Sequence, residues 1–405
     1  MKTRNIKVIK QSKNEALTGQ QSGADEITSR QSSREVVRTV KGWIAELHRR
    51  RRDEVESSPF VGKIRVSLFL IVLSLWGLGT QGFGQQLRDA FRSVQQAVVI
   101  VRTEQKGLAP FPQQGLVSLN GLGSGVLISK DGKVLTAAHL VQSADKTMVE
   151  FSQGELIPAS VIGSAFSADL ALLQLDHNPA NPVAAILGDS DKVDVGDEIF
   201  VVGAPYGIGS TLTAGHVSGR HTLNKRSENT MAVEFLQTDA AINSGNSGSP
   251  VFNLNGEVMG IVSNIMSRSG GSEGLAFAAT SNTARHLLLE QKPFWSGIEG
   301  LLVEGNLARA LNLPQSAGVL VQRVAEGSIA WRWGIHAGTL RANVEGEEFV
   351  LGGDIILRVN DVSVEQDGSY DEIYGSIARL KPGDNLVITV FRQGQTMKLS
   401  IPIPQ

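Results

Sequence analysis

The chain has 405 residues, 41% hydrophobic and 19% charged, with a formal net charge of -2, and it contains no cysteine. That length exceeds one ordinary hydrophobic core and predicts two or three domains. The near-neutral balance excludes an overall nucleic-acid or membrane-surface footprint, and the lack of cysteine excludes a disulfide framework, a thiolate nucleophile and a zinc–thiolate site.

Residues 1–60 are polar and charged and carry the run His48-Arg49-Arg50-Arg51-Arg52 near their end, the composition of a disordered extension. An uncharged, largely apolar stretch from Val66 to Gly79 follows Lys63 and Arg65. It is short for a membrane span but suits the core of a signal peptide, and Gly82-Phe83-Gly84 places an expected cleavage before Gln85. Residues 61–84 therefore read as a signal peptide or, uncleaved, as an anchor with the arginines in the cytoplasm. Because 61–84 is complete as a signal by itself, the extension before it is expected to be untranslated, with initiation at Val61. A native peptide from residues 1–60 removes that expectation.

From Gln96 onward the pattern is short β-like runs: QAVVIVR, GSGVLIS, KVLTAAHLV, DLALLQL, DEIFVVG, AVEFLQT, SPVFN and EVMGIVS. Asp131-Gly132 and Asn255-Gly256 lie between pairs of runs, where tight hairpins need positive φ. Few helical periods interrupt them, so the prediction is a mainly β architecture with antiparallel barrels. The stretch 280–291, TSNTARHLLLEQ, reads as a closing helix with Leu287, Leu288 and Leu289 adding bulk to its apolar side. After Pro293 a second unit follows, with runs GVLVQRV, DIILRVN, NLVITVFR and MKLSIPI and one amphipathic helix, SYDEIYGSIARL. The stretch IHAGTLRANVEGEEFVLGGD within it is longer than a turn needs and is expected to include an exposed loop.

A serine hydroxyl attacks a carbonyl at neutral pH only with a base in hydrogen-bond reach and a carboxylate orienting that base. Among seven histidines, His139 follows small residues at the end of a strand-like run, whereas His216 and His221 lie in turn-like sequence. Alone, His139 fits a packed histidine as well as a base. Asp169 immediately precedes an apolar strand, where a carboxylate needs a partner, although a turn aspartate satisfies the same position. INSGNSGSPVFN carries Ser247 between glycines.

TAAH, DLALL and GNSGSP, in the order His, Asp, Ser, together resemble the trypsin-like serine proteases. Over residues 85–405 the chain more closely resembles the HtrA (Deg) family of exported proteases bearing PDZ domains. The resemblance implies a trypsin-like double β-barrel over 85–291 and a PDZ domain over 292–405. It assigns Ser247 as nucleophile, His139 as general base and acid, and Asp169 as the orienting carboxylate. Backbone N–H groups of Gly245 and Ser247 would form the oxyanion hole, while Asn246 is expected mainly to shape the loop. Ala241, six before the nucleophile, would lie at the base of the specificity pocket and direct cleavage after Val, Leu or Ala. Asp239 is read as structural. The family pattern has two glycines after the nucleophile, whereas here Gly248 is followed by Ser249, a departure that activity is expected to survive.

The PDZ resemblance places the carboxylate of a bound peptide C-terminus on the loop Trp295-Ser296-Gly297-Ile298, with Ile298 starting an open edge strand. The function expected is an ATP-independent serine endopeptidase acting on unfolded or damaged proteins and peptides. Its expected location is the bacterial periplasm or the outer face of the inner membrane, in a homotrimer or higher homo-oligomer. No GxxxxGK[ST] loop or HExxH helix occurs, so no cofactor, nucleotide or metal is implied, and no nucleic-acid partner. The competing expectation is a catalytically silent chaperone or peptide-binding scaffold on the same fold.

Overall fold

The computed structural model describes residues 83–108, 116–223, 233–267, 271–291, 294–344, 347–365 and 369–403. The polar extension and the apolar segment 66–79 lie outside them. All the described residues fall in one compact unit, Gln81–Gln405, and among them no helix is long and apolar enough to cross a membrane.

Helix α1 (Phe83–Val94) opens the described chain, and the Gly84–Gln85 bond at which cleavage is expected lies in its first turn. Leu87, Ala90, Phe91 and Val94 recur at helical spacing and pack one face of it on the core between the barrels.

Six antiparallel strands close the first barrel: β1 (Val98–Leu108), β2 (Leu116–Leu127), β3 (Lys133–Ala137), β4 (Lys146–Glu150), β5 (Leu156–Ala165) and β6 (Leu170–Leu175). Their order is β1-β2-β3-β6-β5-β4, with β4 returning to β1, and a short helix α2 (Ala138–Val141) leaves β3. The second barrel begins with β7 (Ile186–Leu187), β8 (Glu198–Gly203), β9 (Thr211–Leu223) and β10 (Val233–Thr238). It continues through β11 (Pro250–Asn253), β12 (Glu257–Ile265) and β13 (Ala276–Thr280). Its ring runs β8-β9-β10-β13-β12-β11, and β7 adds alongside β12 in parallel. The expected turns at Asp131-Gly132 and Asn255-Gly256 are present, with glycine φ of 89° and 77°.

Alternation along the strands explains two barrels rather than one sheet. Val149, Ile157 and Leu173 fill the first barrel, and Val201, Leu236 and Val251 the second. The other faces of the same strands meet between them, where Phe200 and Phe252 stack at 5.2 Å among Leu170, Leu172 and Ile261. Each fully buried side chain of this kind stabilises the seam by about 1.5–3 kcal/mol. The site is thereby fixed at a joint that neither barrel completes alone.

The closing helix is present as α3 (Ser281–Ala284), continuing as a π-helix over Arg285–Glu290. Of its three consecutive leucines only Leu288 is fully buried, and Leu289 is 37% exposed, since neighbours on a helix point in different directions.

The C-terminal unit starts with β14 (Ile298–Glu304), α4 (Gly305–Ala310), β15 (Ala317–Val324) and α5 (Ile329–Arg332). Then follow β16 (Leu340–Val344), β17 (Glu347–Leu351), β18 (Ile355–Val359) and β19 (Val362–Ser363). It ends with α6 (Ser369–Ala378), β20 (Asn385–Arg392) and β21 (Gln395–Pro402). The sheet order is β14-β15-β18-β20-β21, which leaves β14 an edge strand. The stretch expected to include an exposed loop instead pairs β16 with β17 as a separate hairpin. Polar and apolar residues alternate along β16, from Leu340 to Val344, which supports a ladder, whereas β17, Glu-Glu-Phe-Val-Leu, does not alternate.

This unit packs on the first barrel through directed polar contacts. Asp145 accepts the backbone N–H of Lys106 and of Glu326, each at 2.7 Å. The Ser143 hydroxyl donates to Glu299 at 2.6 Å, and the Trp295 indole N–H to the Gln142 carbonyl at 3.1 Å. Gln142 in turn donates its amide to the Ile298 carbonyl at 2.8 Å. The exposed pair Lys106–Glu326 raises the lysine pKa and lowers that of the glutamate, chiefly through the hydrogen bond they share.

Candidate active site

Asp169 ends a short 3-10 turn (Phe166–Ala168) with φ 52°, a left-handed conformation that aspartate tolerates better than most non-glycine residues. That twist turns its carboxylate toward α2. Oδ1 accepts the backbone N–H of His139 at 2.9 Å, and Oδ1 and Oδ2 lie 3.0 and 2.8 Å from His139 Nδ1. The Asp169 carbonyl also accepts the Ala138 N–H at 3.1 Å. The sequence placed His139 at the end of a strand; β3 ends two residues earlier, at Ala137, and His139 lies within α2. With Nδ1 as donor to the carboxylate, Nε2 is the ring's acceptor.

Ser263 on β12 donates its hydroxyl to Asp169 Oδ2 at 2.6 Å and is buried, so the carboxylate is fixed from the second barrel as well. Sequence reasoning missed this residue. The available signal was a lone hydroxyl at the end of the apolar run VMGIVS.

Ser247 occupies a turn between β10 and β11, and that turn is bolted to both barrels. Its carbonyl accepts the N–H of Ser124 on β2 at 2.8 Å, and the next residue, Gly248, donates its N–H to the Val262 carbonyl at 2.7 Å. Val262 directly precedes Ser263, so consecutive residues of β12 hold the Ser247 turn and the Asp169 carboxylate. Gly245 and Gly248 have φ of 95° and 82°. A Cβ on Gly248 would collide with the Ser124 carbonyl and Thr136 Oγ1 and lie 3.0 Å from the Ala137 nitrogen. The turn therefore sits against the strand end that leads to His139. Among the described residues, neither the Gly245 nor the Ser247 backbone N–H donates to a backbone acceptor.

Asn246 is buried in this turn, whereas Ala241 is exposed in the segment leading to it. The Asp239 carboxylate accepts the His216 backbone N–H at 2.6 Å.

Trp295, Ser296, Gly297 and Ile298 form the entry to β14, with Gly297 at φ 78°. The carbonyls of Ser296 and Gly297 accept from Ala330 and Ala325, at 3.0 and 2.8 Å, and the Ile298 N–H donates to Ser296 Oγ at 3.2 Å. A cavity of about 360 Å³ lies beside it, lined by Ile298 and Leu302 of β14, Ile373 and Ile377 of α6, and Phe166 and Gln142 of the first barrel. Among the described residues no cluster of three or more His, Asp or Glu suits a metal ion.

Residues 123–261 match the trypsin-like peptidase domain model. The periplasmic pH-dependent serine endoprotease DegQ of Escherichia coli (strain K12) is 36% identical over 302 residues, 72% of this chain and 61% of the relative. A probable periplasmic serine protease do/HhoA-like of Haemophilus influenzae is 36% identical over 288 residues, 69% of this chain and 57% of the relative. Among solved structures, the HtrA-type protease AlgW with tripeptide is 31% identical, covering 78% of this chain and 96% of that chain, at a TM-score of 0.44. The chain belongs to the HtrA (Deg) family of trypsin-like serine proteases. It spans about six-tenths of the length of these curated relatives.

Within this HtrA fold, the departure at Ser249 has a local cost. The residue is fully buried and its hydroxyl has no hydrogen-bond partner among the described residues, lying against Gly203, where a Cβ would collide with it. An orphaned buried hydroxyl costs about 1–3 kcal/mol. Ser249→Ala, which keeps Cβ and removes only the hydroxyl, is expected to raise unfolding free energy by about 1 kcal/mol. Urea denaturation reads this, and a lower midpoint for the variant would contradict it.

Proposed function

We propose that the chain is a serine endopeptidase in which Ser247 attacks the scissile carbonyl. His139 Nε2 takes the serine proton and returns it to the leaving amine, while Asp169 holds the tautomer and stabilises the imidazolium. The observation that carries this reading is the Asp169 carboxylate against His139 Nδ1 at 2.8 Å, with a second bond to the His139 backbone. The two backbone N–H groups of Gly245 and Ser247 are available to the oxyanion, each such donor stabilising the transition state by about 2.7–4 kcal/mol. Ala241 forms the uncharged base of the specificity pocket, and cleavage follows medium apolar side chains.

In this reading the C-terminal unit is a PDZ domain that captures peptide C-termini along β14, supported by that strand's free edge and the apolar cavity beside it. Substrates are unfolded or damaged proteins, no ATP is used, and the chain works in the periplasm as a homotrimer or larger assembly. The relatives named as a periplasmic serine endoprotease and a probable periplasmic serine protease support the location and the reaction class.

A fluorophosphonate probe tests the core of the proposal. Labelling of the purified chain that Ser247→Ala abolishes is the expected result, and no labelling under any condition leaves the silent scaffold. The same preparation digesting a peptide library is expected to cut after Val, Leu or Ala, and a Lys or Arg preference overturns the pocket assignment.

A further inference from the structure

We infer that Ser124 is a positioning residue for the nucleophile turn, an inference that rests on the serine-protease reading above. Ser124 lies on β2 in the run Gly123-Ser124-Gly125, is 0% exposed, and takes part in four hydrogen bonds. Its hydroxyl donates to the Gly245 carbonyl at 2.8 Å and accepts the Ala204 N–H at 3.0 Å. Its own N–H donates to the Ser247 carbonyl at 2.8 Å, and its carbonyl accepts the Thr136 hydroxyl at 2.7 Å. One residue of the first barrel thus holds two peptide planes of the turn, those on either side of the Asn246–Ser247 bond.

The consequence follows from peptide planarity. In a trans peptide the C=O and N–H point in opposite directions, so holding one aims the other. The Ser244 carbonyl accepts from Tyr206 N–H and the Asn246 carbonyl from Ser249 N–H, each at 2.9 Å, which turns the Gly245 and Ser247 N–H groups away from the turn's own bonds. Between those two planes lies the Gly245–Asn246 plane, and the Ser124 hydroxyl is what holds its carbonyl, with Asn246 N–H on Asn243 at 3.0 Å on the other side. Rotation of that plane changes ψ of Gly245 and φ of Asn246 together. Glycine at φ 95° opposes such rotation weakly, so the angle between the two donor planes is set by the bond from Ser124 at one end of the intervening plane and the bond to Asn243 at the other. The close approach of the strand is possible because Gly123 and Gly203 carry no side chain where Ser247 O and Ser124 Oγ lie.

Steady-state cleavage of unfolded β-casein and the rate of fluorophosphonate labelling test the assignment in the full chain. Ser124→Ala is expected to lower kcat and the labelling rate about ten- to a hundred-fold with KM unchanged, because the interaction aimed is one used in the transition state. Ser124→Cys keeps the volume with a weak donor; it is expected to lose less than the alanine variant, and it carries the test if that variant does not fold. Wild-type kcat in either folded variant, with only the melting temperature lowered, overturns the assignment. A wild-type chain that the probe never labels overturns the serine-protease reading instead, so the two failures are distinguishable.

Discussion

Asp169→Asn is expected to lower kcat by about 10⁴-fold while leaving the chain folded. Asparagine accepts the left-handed backbone at φ 52° as aspartate does, so the turn before β6 survives the change. The chemistry does not. With its amide nitrogen toward His139 Nδ1, the side chain donates where the carboxylate accepted, Nδ1 becomes the acceptor, and the proton moves to Nε2. A protonated Nε2 has no lone pair for the Ser247 proton. The His139 backbone N–H, which donates to Oδ1, keeps the amide oxygen at that position and so places the amide nitrogen at the Oδ2 position, 2.8 Å from Nδ1, where the rotatable Ser263 hydroxyl accepts from it. Circular dichroism and the melting temperature check the fold, and turnover of casein checks the rate. Unchanged kcat in a folded Asp169→Asn chain would remove His139 from the role of base.

Gly248→Ala is expected to remove both stability and labelling. Its φ of 82° costs an L-residue about 1–2 kcal/mol, and the added methyl meets the Ser124 carbonyl and the Thr136 hydroxyl, groups bonded to each other at 2.7 Å that have nowhere to move. Overpacking of this kind adds about 1–3 kcal/mol. Thermal unfolding should therefore begin markedly earlier, and fluorophosphonate labelling should be lost even below that transition. A variant that melts and labels like the wild type would mean that the turn rearranges freely, contrary to its bonds with Ser124 and Val262.

His139, Asp169 and Ser247 of the proposed site could be singled out because each sits in a short motif whose local form is set by its own neighbours. Small residues clear space at His139, an apolar strand follows Asp169, and glycines flank Ser247. Ser263, Ser124 and Gln142 were not legible. Each is a polar residue in an ordinary strand or helix end, and its partner lies 94, 121 or 156 residues away, a distance that only barrel closure removes. The hairpin of β16 and β17 was hidden for another reason: alternation runs only along Leu340–Val344, Glu347–Leu351 does not alternate, and the sequence between them carries no Asn-Gly or Asp-Gly pair. For the leucines of 287–289, composition misled where helical periodicity would have separated the buried one from its neighbours.

The cavity beside β14 takes part of its wall from Phe166 and Gln142, which belong to the first barrel and lie three residues from Asp169 and from His139 respectively. Excising the C-terminal unit as a separate fragment would strip that wall away. The groove of such a fragment therefore differs from the one in the intact chain. In that sense the chain has two folds but no clean point at which to cut them into independent reagents.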